Sequence, residues 1–252
     1  MRDTNMVTLY KNKGDHSDGN NCRGISLLNI VGKVFAQVAL ARLQRFADSV
    51  YPESQCGFRA GRSTNDMIFS VRQLQKKCRE QRQPLYLAFI DLAGAFGLVG
   101  RPGLFTLLEK IACPPKLRSI IISFHKDMQG RVSFDGSCSE PFAITSGVKQ
   151  GCVLASTLFG TFFSLLLCYA FKSSTEGIFI HSRKDGGLYR LTRPLKAKSK
   201  VSETLIRELL FADDAAFAAH SAADLQKLLN MFSNACIEFG LTISLKKTVT
   251  MV

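Results

Sequence analysis

Residues 209–217 read LLFADDAAF. Two adjacent carboxylates, Asp213 and Asp214, sit in a run with no other charge from Leu209 to His220. Neighbouring like charges repel, and neither can stand in an apolar setting uncompensated. Either the turn is exposed or a cation neutralises the pair. The apolar residues on each side predict two short strands meeting at the aspartates. A similar carboxylate closes LYLAFIDL (85–92), an apolar and aromatic stretch after Pro84 that reads as a buried strand with Asp91 as its single charge. Taken alone, Asp91 reads as an N-cap or loop-side residue. Acidic residues at the ends of neighbouring strands in a basic protein also suit a hard cation, because Mg²⁺ prefers a few carboxylates together with substrate phosphates. Two such ions would serve a phosphoryl transfer. Spacing leads no further than a candidate nucleotidyl-transfer site.

The chain has 252 residues with 33 Lys+Arg against 20 Asp+Glu, a net charge of +13 on a 46% hydrophobic background. That apolar fraction excludes intrinsic disorder, and 19 Gly with 7 Pro exclude collagen-like chains. Residues 1–126 carry a net +10 and residues 127–252 a net +3. One strongly basic half implies a polyanion, either nucleic acid or an anionic membrane surface. Eight cysteines lie scattered without a C-x-x-C pair, and the four histidines are not at zinc-ligand spacing, so reduced thiols are expected. Met1-Arg2-Asp3 opens no apolar signal region, so secretion is not expected. Cys152–Phe171 is 20 residues without a charge, long enough to span a bilayer. Its Ser156, Thr157, Gly160, Thr161 and Ser164 favour a buried core helix and no stable membrane association.

Residues 1–22 are polar and rich in Gly and Asn, and predict an irregular start. Apolar spacing predicts a helix over 31–46, and Ser63/Thr64-Asn65-Asp66 caps another running from Met67 to about Gln81. The second helix presents Arg72, Lys76, Lys77, Arg79 and Arg82, a solvated surface or a nucleic-acid face. Residues 104–110 and 115–128 read as helices, and 131–134 with 141–145 as a hairpin around Asp135-Gly136. Residues 172–207 read as a basic strand-turn-strand insertion. Residues 225–239 form an amphipathic helix ending at Gly240. The sum is an α+β fold, an antiparallel sheet with helices packed on one side.

FIDLAGAF (89–96), SGVKQGCVLASTLFG (146–160), LLFADDAAF (209–217) and GLTISLKKT (240–248) occur in that order. Together they resemble motifs A, B, C and D of reverse transcriptases from non-LTR (LINE-type) retrotransposons. Upstream, NNCRGISLLNIVGKVF (20–35) and ESQCGFRAGRST (53–64) resemble that family's two fingers motifs. A lone F-A-D-D is a weak signal, whereas six motifs in register are a strong one.

The resemblance implies the fingers–palm part of a right-hand polymerase, with an antiparallel palm sheet packed against helices. Residues 1–84 would be fingers-like and 85–252 palm, with fingers elements interleaved at 97–140 and the thumb absent. It implies an RNA-directed DNA polymerase joining dNTPs to a DNA primer on an RNA template. Two Mg²⁺ ions, replaceable by Mn²⁺, would be held by Asp91, Asp213 and Asp214 as the catalytic carboxylates. Phe96 matches the bulky residue that blocks a nucleotide 2′-OH; on its own it reads as a core aromatic. Gln150 and Gly151 match the pair near the incoming nucleotide, where glycine permits close backbone approach. Arg23 matches a triphosphate-contacting arginine, a task suited to a guanidinium fork. Lys247, with Lys246 as rival, matches the lysine that protonates the leaving pyrophosphate. Arg59 and Arg62 are candidates for template or phosphate contact, or plain surface charges.

The sequence departs from the family pattern at several positions. Gly97 stands where an Asp is usual and would loosen motif A, Cys22 replaces an aromatic, and Ser156 replaces a proline. The alternative reading is a catalytically silent nucleic-acid-binding remnant. Work in the nucleus or cytoplasm is expected, with RPLKAKSK (193–200) only a weak nuclear-targeting signal.

Overall fold

A computed structural model describes residues 3–15, 17–134, 136–183 and 201–251. The chain opens with β1 (Thr4–Tyr10), β2 (Cys22–Leu27), α1 (Ile30–Val50) and α2 (Thr64–Glu80). It continues through β3 (Tyr86–Ile90), α3 (Ala95–Leu98), α4 (Arg101–Lys110), α5 (Pro115–His125), β4 (Gln129–Phe134), β5 (Ser137–Cys138), β6 (Phe142–Ala143) and α6 (Val153–Ala170). The last part holds β7 (Ile178–Arg183), β8 (Val201–Ile206), β9 (Glu208–Phe211), β10 (Asp214–Ala219), α7 (Ala222–Phe239) and β11 (Val249–Met251).

Four strands form an all-antiparallel sheet in the order β11-β3-β10-β9. Alternation along β3 and β10 gives it two different faces. Ala88, Ile90, Ala215, Phe217 and Ala219 belong to the main core with residues of α1, α6 and α7. Leu87 and Ala218, a cross-strand pair, point the other way and pack with Leu74 and Cys78 of α2. The expectation that helices cover one side is therefore corrected: α2 lies across the second face, because its apolar stripe matches the odd residues of β3.

Helix α6 is the centre of the main core. It is long and apolar enough by length and composition to cross a membrane. Here its Leu154, Leu158, Phe159, Phe162, Phe163 and Leu166 are buried among neighbouring elements. Gly160 makes room for Tyr51 at the end of α1: a Cβ there would meet the Tyr51 hydroxyl at 2.7 Å. That hydroxyl donates to the Thr157 carbonyl, and burial pushes its pKa up to about 12. Rings continue the packing from Phe159 to Phe163, Phe232, Phe217 and Phe171.

The helix ends follow their sequence signals. Asn29 accepts the Val31 N–H, Asp66 accepts the Ser63 N–H, and Ser221 accepts the Asp224 N–H. Gly240 ends α7 in the left-handed conformation at φ 74°.

The irregular start does not hold. Residues 4–10 form β1, paired antiparallel with β2 and parallel with β4. Backbone pairing makes this strand, and the Gly/Asn-rich stretch after it supplies only the connection. The hairpin around Gly136 is present, with its return limb split into β5 and β6, and Asp135 lies outside the described residues. β7 and β8 pair antiparallel at the base of the basic insertion, whose residues 184–200, the targeting-like RPLKAKSK included, also lie outside. All eight cysteines are free thiols.

Candidate active site

β10 pairs with β3 through Ala215–Ile90, Phe217–Ala88 and Ala219–Tyr86. One step beyond the first of these pairs, the same register sets Asp214 across from Asp91. Asp213 occupies the turn between β9 and β10, whose ladder closes at Asp214–Phe211. Two strands thus deliver three carboxylates to one end of the sheet. Burial raises the Asp213 pKa most, with the nearby Asp91 charge adding to it and Arg23 and Lys247 opposing. Asp214 is raised by burial first, then by Asp213 and Asp91, again opposed by Lys247. Carboxylates held this way carry a charge penalty that a bound cation would remove. Among the described residues no three His, Cys, Asp or Glu side chains stand close enough to form a ready-made metal cage. The donor chemistry fits a hard cation that also takes ligands from its substrate.

Motif D closes the site from the side. Ser244 N–H donates to the Asp91 carbonyl at 2.8 Å, and the turn that follows brings Lys247 Nζ to 2.8 Å from Asp91 Oδ1. Lys247, and not the adjacent Lys246, makes this ion pair. Asp91, Asp214, Phe89 and Ala216 line one groove of about 590 Å³ together with Ile68, Val71, Arg72 and Gln75 of α2 and Lys247. The groove is the part of the second sheet face that α2 leaves uncovered.

Phe96 is half-buried and stacks on Phe159 with ring centroids 4.6 Å apart and planes 21° from parallel. Core packing therefore fixes its ring beside the end of β3. Motif A is well tied despite the glycine at 97: Val148 N–H donates to the Phe96 carbonyl, Gly147 N–H to the Val99 carbonyl and Ser146 Oγ to the Gly97 carbonyl. A Cβ on Gly147 would fall 2.6 Å from the Gly97 oxygen, so the two loops touch backbone to backbone. The expected loosening of motif A is not seen.

Gln150 and Gly151 dock on β2. Ser26 N–H donates to the Gln150 carbonyl at 2.8 Å, and a Cβ on Gly151, whose φ is 103°, would lie 2.8 Å from the Ser26 oxygen. Arg23, exposed and three residues back along β2, is near enough for its charge to reach Asp213. Arg59 and Arg62 are engaged differently: both pair with Glu53, and Arg59 also donates to the Pro52 carbonyl.

Sequence reading missed Arg101. It is 8% exposed, and its guanidinium donates to the carbonyls of His125, Ile144, Ser146 and Gly147, which anchors the start of motif B. An arginine at a helix start gives no sign of such a role. Gln55, also missed, bonds to the turn before Asp213.

A four-stranded antiparallel sheet with carboxylates at one end, helices behind and a groove in front defines a polymerase palm. The family profile described as "Reverse transcriptase (RNA-dependent DNA polymerase)" matches residues 11–252, and the chain belongs to that family. It is 30% identical over 165 residues to the RNA-directed DNA polymerase from mobile element jockey of Drosophila melanogaster, covering 65% of this chain and 18% of that protein. It is 22% identical over 230 residues to the Pol polyprotein of the type-1 retrotransposable element R2 of Bradysia coprophila, covering 91% of this chain and 23% of that one. The chain thus spans about a fifth of the length of these relatives. Among solved structures, apo telomerase of Candida tropicalis truncated from its C-terminal domain superposes with a TM-score of 0.66 at 15% identity, covering 99% of this chain and 50% of that one. That likeness shows the shared fold.

Proposed function

We propose that this chain adds deoxynucleotides to a DNA primer 3′ end on an RNA template. The observation that carries this reading is the delivery of Asp91, Asp213 and Asp214 to one sheet end, with the pKa values of Asp213 and Asp214 raised by burial. Asp91 and Asp213, supported by Asp214, would hold two divalent ions. When bound there, Mg²⁺ supplies charge neutralisation for the attacking oxygen and the leaving pyrophosphate.

The chain's own residues do the rest. The groove beside the carboxylates receives the primer end, with Arg72 available for a backbone phosphate and Phe89 and Ile68 for apolar contact. Arg23 binds the triphosphate, and Gln150 and Gly151, fixed on β2, border the incoming nucleotide. Phe96, braced by Phe159, excludes a ribose 2′-OH. Lys247 neutralises Asp91 until substrate arrives, then gives a proton to the pyrophosphate. Arg59 and Arg62, through their pairs with Glu53, shape the loop beneath the template. The sheet joining β1 and β2 to β4 and β5 supports fingers built from residues 1–84 together with part of 97–140, and a palm over 85–252. We place this activity in the nucleus or cytoplasm.

The test is extension of an oligo(dT)-primed RNA by the purified chain, with dNTPs against rNTPs, Mg²⁺ against Mn²⁺, and wild type against Asp213→Asn. Extension with dNTPs alone, abolished in the variant, is expected. A folded chain that binds RNA/DNA hybrid and never extends it would overturn the reading.

A further inference from the structure

The turn that carries Asp213 is held from outside its own hairpin. Ala212 adopts φ 59° and begins the two-residue connection between β9 and β10, a place where glycine is favoured. A side chain in the left-handed region needs surroundings that fix it. Residues 54–57 supply them. Leu210 N–H donates to the Ser54 carbonyl at 3.1 Å and Cys56 N–H to the Leu210 carbonyl at 2.9 Å, a parallel bridge centred on Gln55 and Leu210.

Gln55, 1% exposed, then turns its carboxamide onto Ala212. Ala212 N–H donates to Oε1 at 3.0 Å, and Nε2 donates to the Ala212 carbonyl at 3.3 Å. The same Oε1 accepts Gly57 N–H at 2.7 Å. One buried side chain therefore satisfies both backbone polar groups of the residue before Asp213. Gly57 presses from the same direction: a Cβ there would lie 2.0 Å from the Ala212 nitrogen. No residue larger than glycine fits.

We propose that Gln55 is a positioning residue for the polymerase reaction, which clasps the left-handed Ala212 and thereby sets where Asp213 presents its carboxylate. This rests on the reading of Asp213 as a metal ligand. Gln55 touches neither substrate nor cation in this role and acts through the Ala212 backbone alone. The job needs a donor and an acceptor at the tip of a side chain of this length. Ionised glutamate lacks the donor, and methionine lacks both.

The test compares Gln55→Met and Gln55→Glu with the wild-type 252-residue chain. Mn²⁺ binding is read by electron paramagnetic resonance, and primer extension is measured with Mg²⁺. Gln55→Met is expected to keep its circular dichroism spectrum and its affinity for RNA/DNA hybrid. Its Mn²⁺ binding should weaken about tenfold and its kcat fall about ten- to a hundredfold with the dNTP KM unchanged, the range seen when supports of metal ligands are removed. Should that variant not fold, Gln55→Glu, which keeps the volume and the Oε1 acceptor, carries the same comparison. Wild-type Mn²⁺ affinity in the folded variants overturns the proposal. So does a loss of hybrid binding in step with Mn²⁺ binding, which would mark a general structural role. A wild-type chain that binds Mn²⁺ but extends no primer counts against the proposed function and leaves the Mn²⁺ comparison to decide on Gln55.

Discussion

Lys247 Nζ stands 2.8 Å from Asp91 Oδ1, an ion pair joining motif D to the end of the central strand. The lysine side chain is 66% exposed, so water screens the pair and it contributes under about 1 kcal/mol to stability. Lys247→Ala should therefore shift the unfolding temperature by no more than about 3 °C. If Lys247 is the proton donor to pyrophosphate proposed above, its loss should lower kcat about a hundredfold. Lys246→Ala is the comparator and should behave as wild type. Equal rates in the two variants would remove the distinction drawn between them.

Asp213 and Asp214 make the folded chain less stable at neutral pH. Their folded pKa values are raised, so the stability they contribute is full below the ordinary carboxylate pKa of about 4 and is lost as pH rises through the raised values. Asp213→Asn should melt at a higher temperature than wild type at pH 7, with the gap closing in acid. Mg²⁺ should raise the melting temperature of wild type more than that of the variant. Calorimetry across pH, with and without Mg²⁺, checks both.

His125 works in the opposite direction. It is buried, its Nδ1 donates to the Ile121 carbonyl, and desolvation lowers its pKa to about 4, with Arg101 and Lys149 adding to the effect. A depressed folded pKa gives stability that is present above the unfolded value of about 6.5 and is lost as pH falls towards the folded one. Between those limits the chain should lose about 3 kcal/mol. Urea unfolding from pH 7 to pH 4 should show that slope, and a folded His125→Gln should lack most of it.

Phe96→Leu is the sharper test of sugar selection. Phe96→Ala would empty part of the stack on Phe159 and cost about 2 kcal/mol or more. Leucine keeps most of the volume. The expected result is rNTP incorporation raised about tenfold or more relative to dNTP, with urea unfolding shifted by less than about 1.5 kcal/mol. Unchanged selectivity would return Phe96 to a purely structural role.

The two glycines that face each other across motifs A and B should respond unequally. A Cβ on Gly97 meets nothing within 4 Å, whereas one on Gly147 meets the Gly97 oxygen at 2.6 Å, and Gly147 also has φ 76°. Gly97→Asp should stay within about 0.5 kcal/mol of wild type, while Gly147→Ala should lose about 2 kcal/mol or more. Denaturant midpoints for the two variants settle the order.

The strands around Asp91 and Asp213-Asp214 were readable because carboxylates in otherwise apolar runs mark strand ends, and the helix ends at Ser63 and Gly240 because local geometry sets them; the Ser221 cap was not read. β1 was not readable: its 7 residues are secured by pairing with β2 and β4, and the β4 partners lie more than a hundred residues away. Gln55 and Arg101 were equally silent. A buried amide or guanidinium bonded to backbone leaves no periodicity, and only the fold brings its acceptors within reach. Arg59 and Arg62 show the reverse case, charges whose partner Glu53 was in plain sight a few residues upstream.

The run of rings from Phe96 through Phe159, Phe163 and Phe232 to Phe217 has a consequence for how such a chain can diverge. Phe217 lies on β10, three residues past Asp214. The residue proposed to choose the sugar and the strand proposed to carry out the chemistry are thus two ends of one close-packed body. A lineage drifting towards a different nucleotide would be held to side chains at position 96 that still fill the stack on Phe159, so only volume-keeping changes of selectivity would come without a cost in folding.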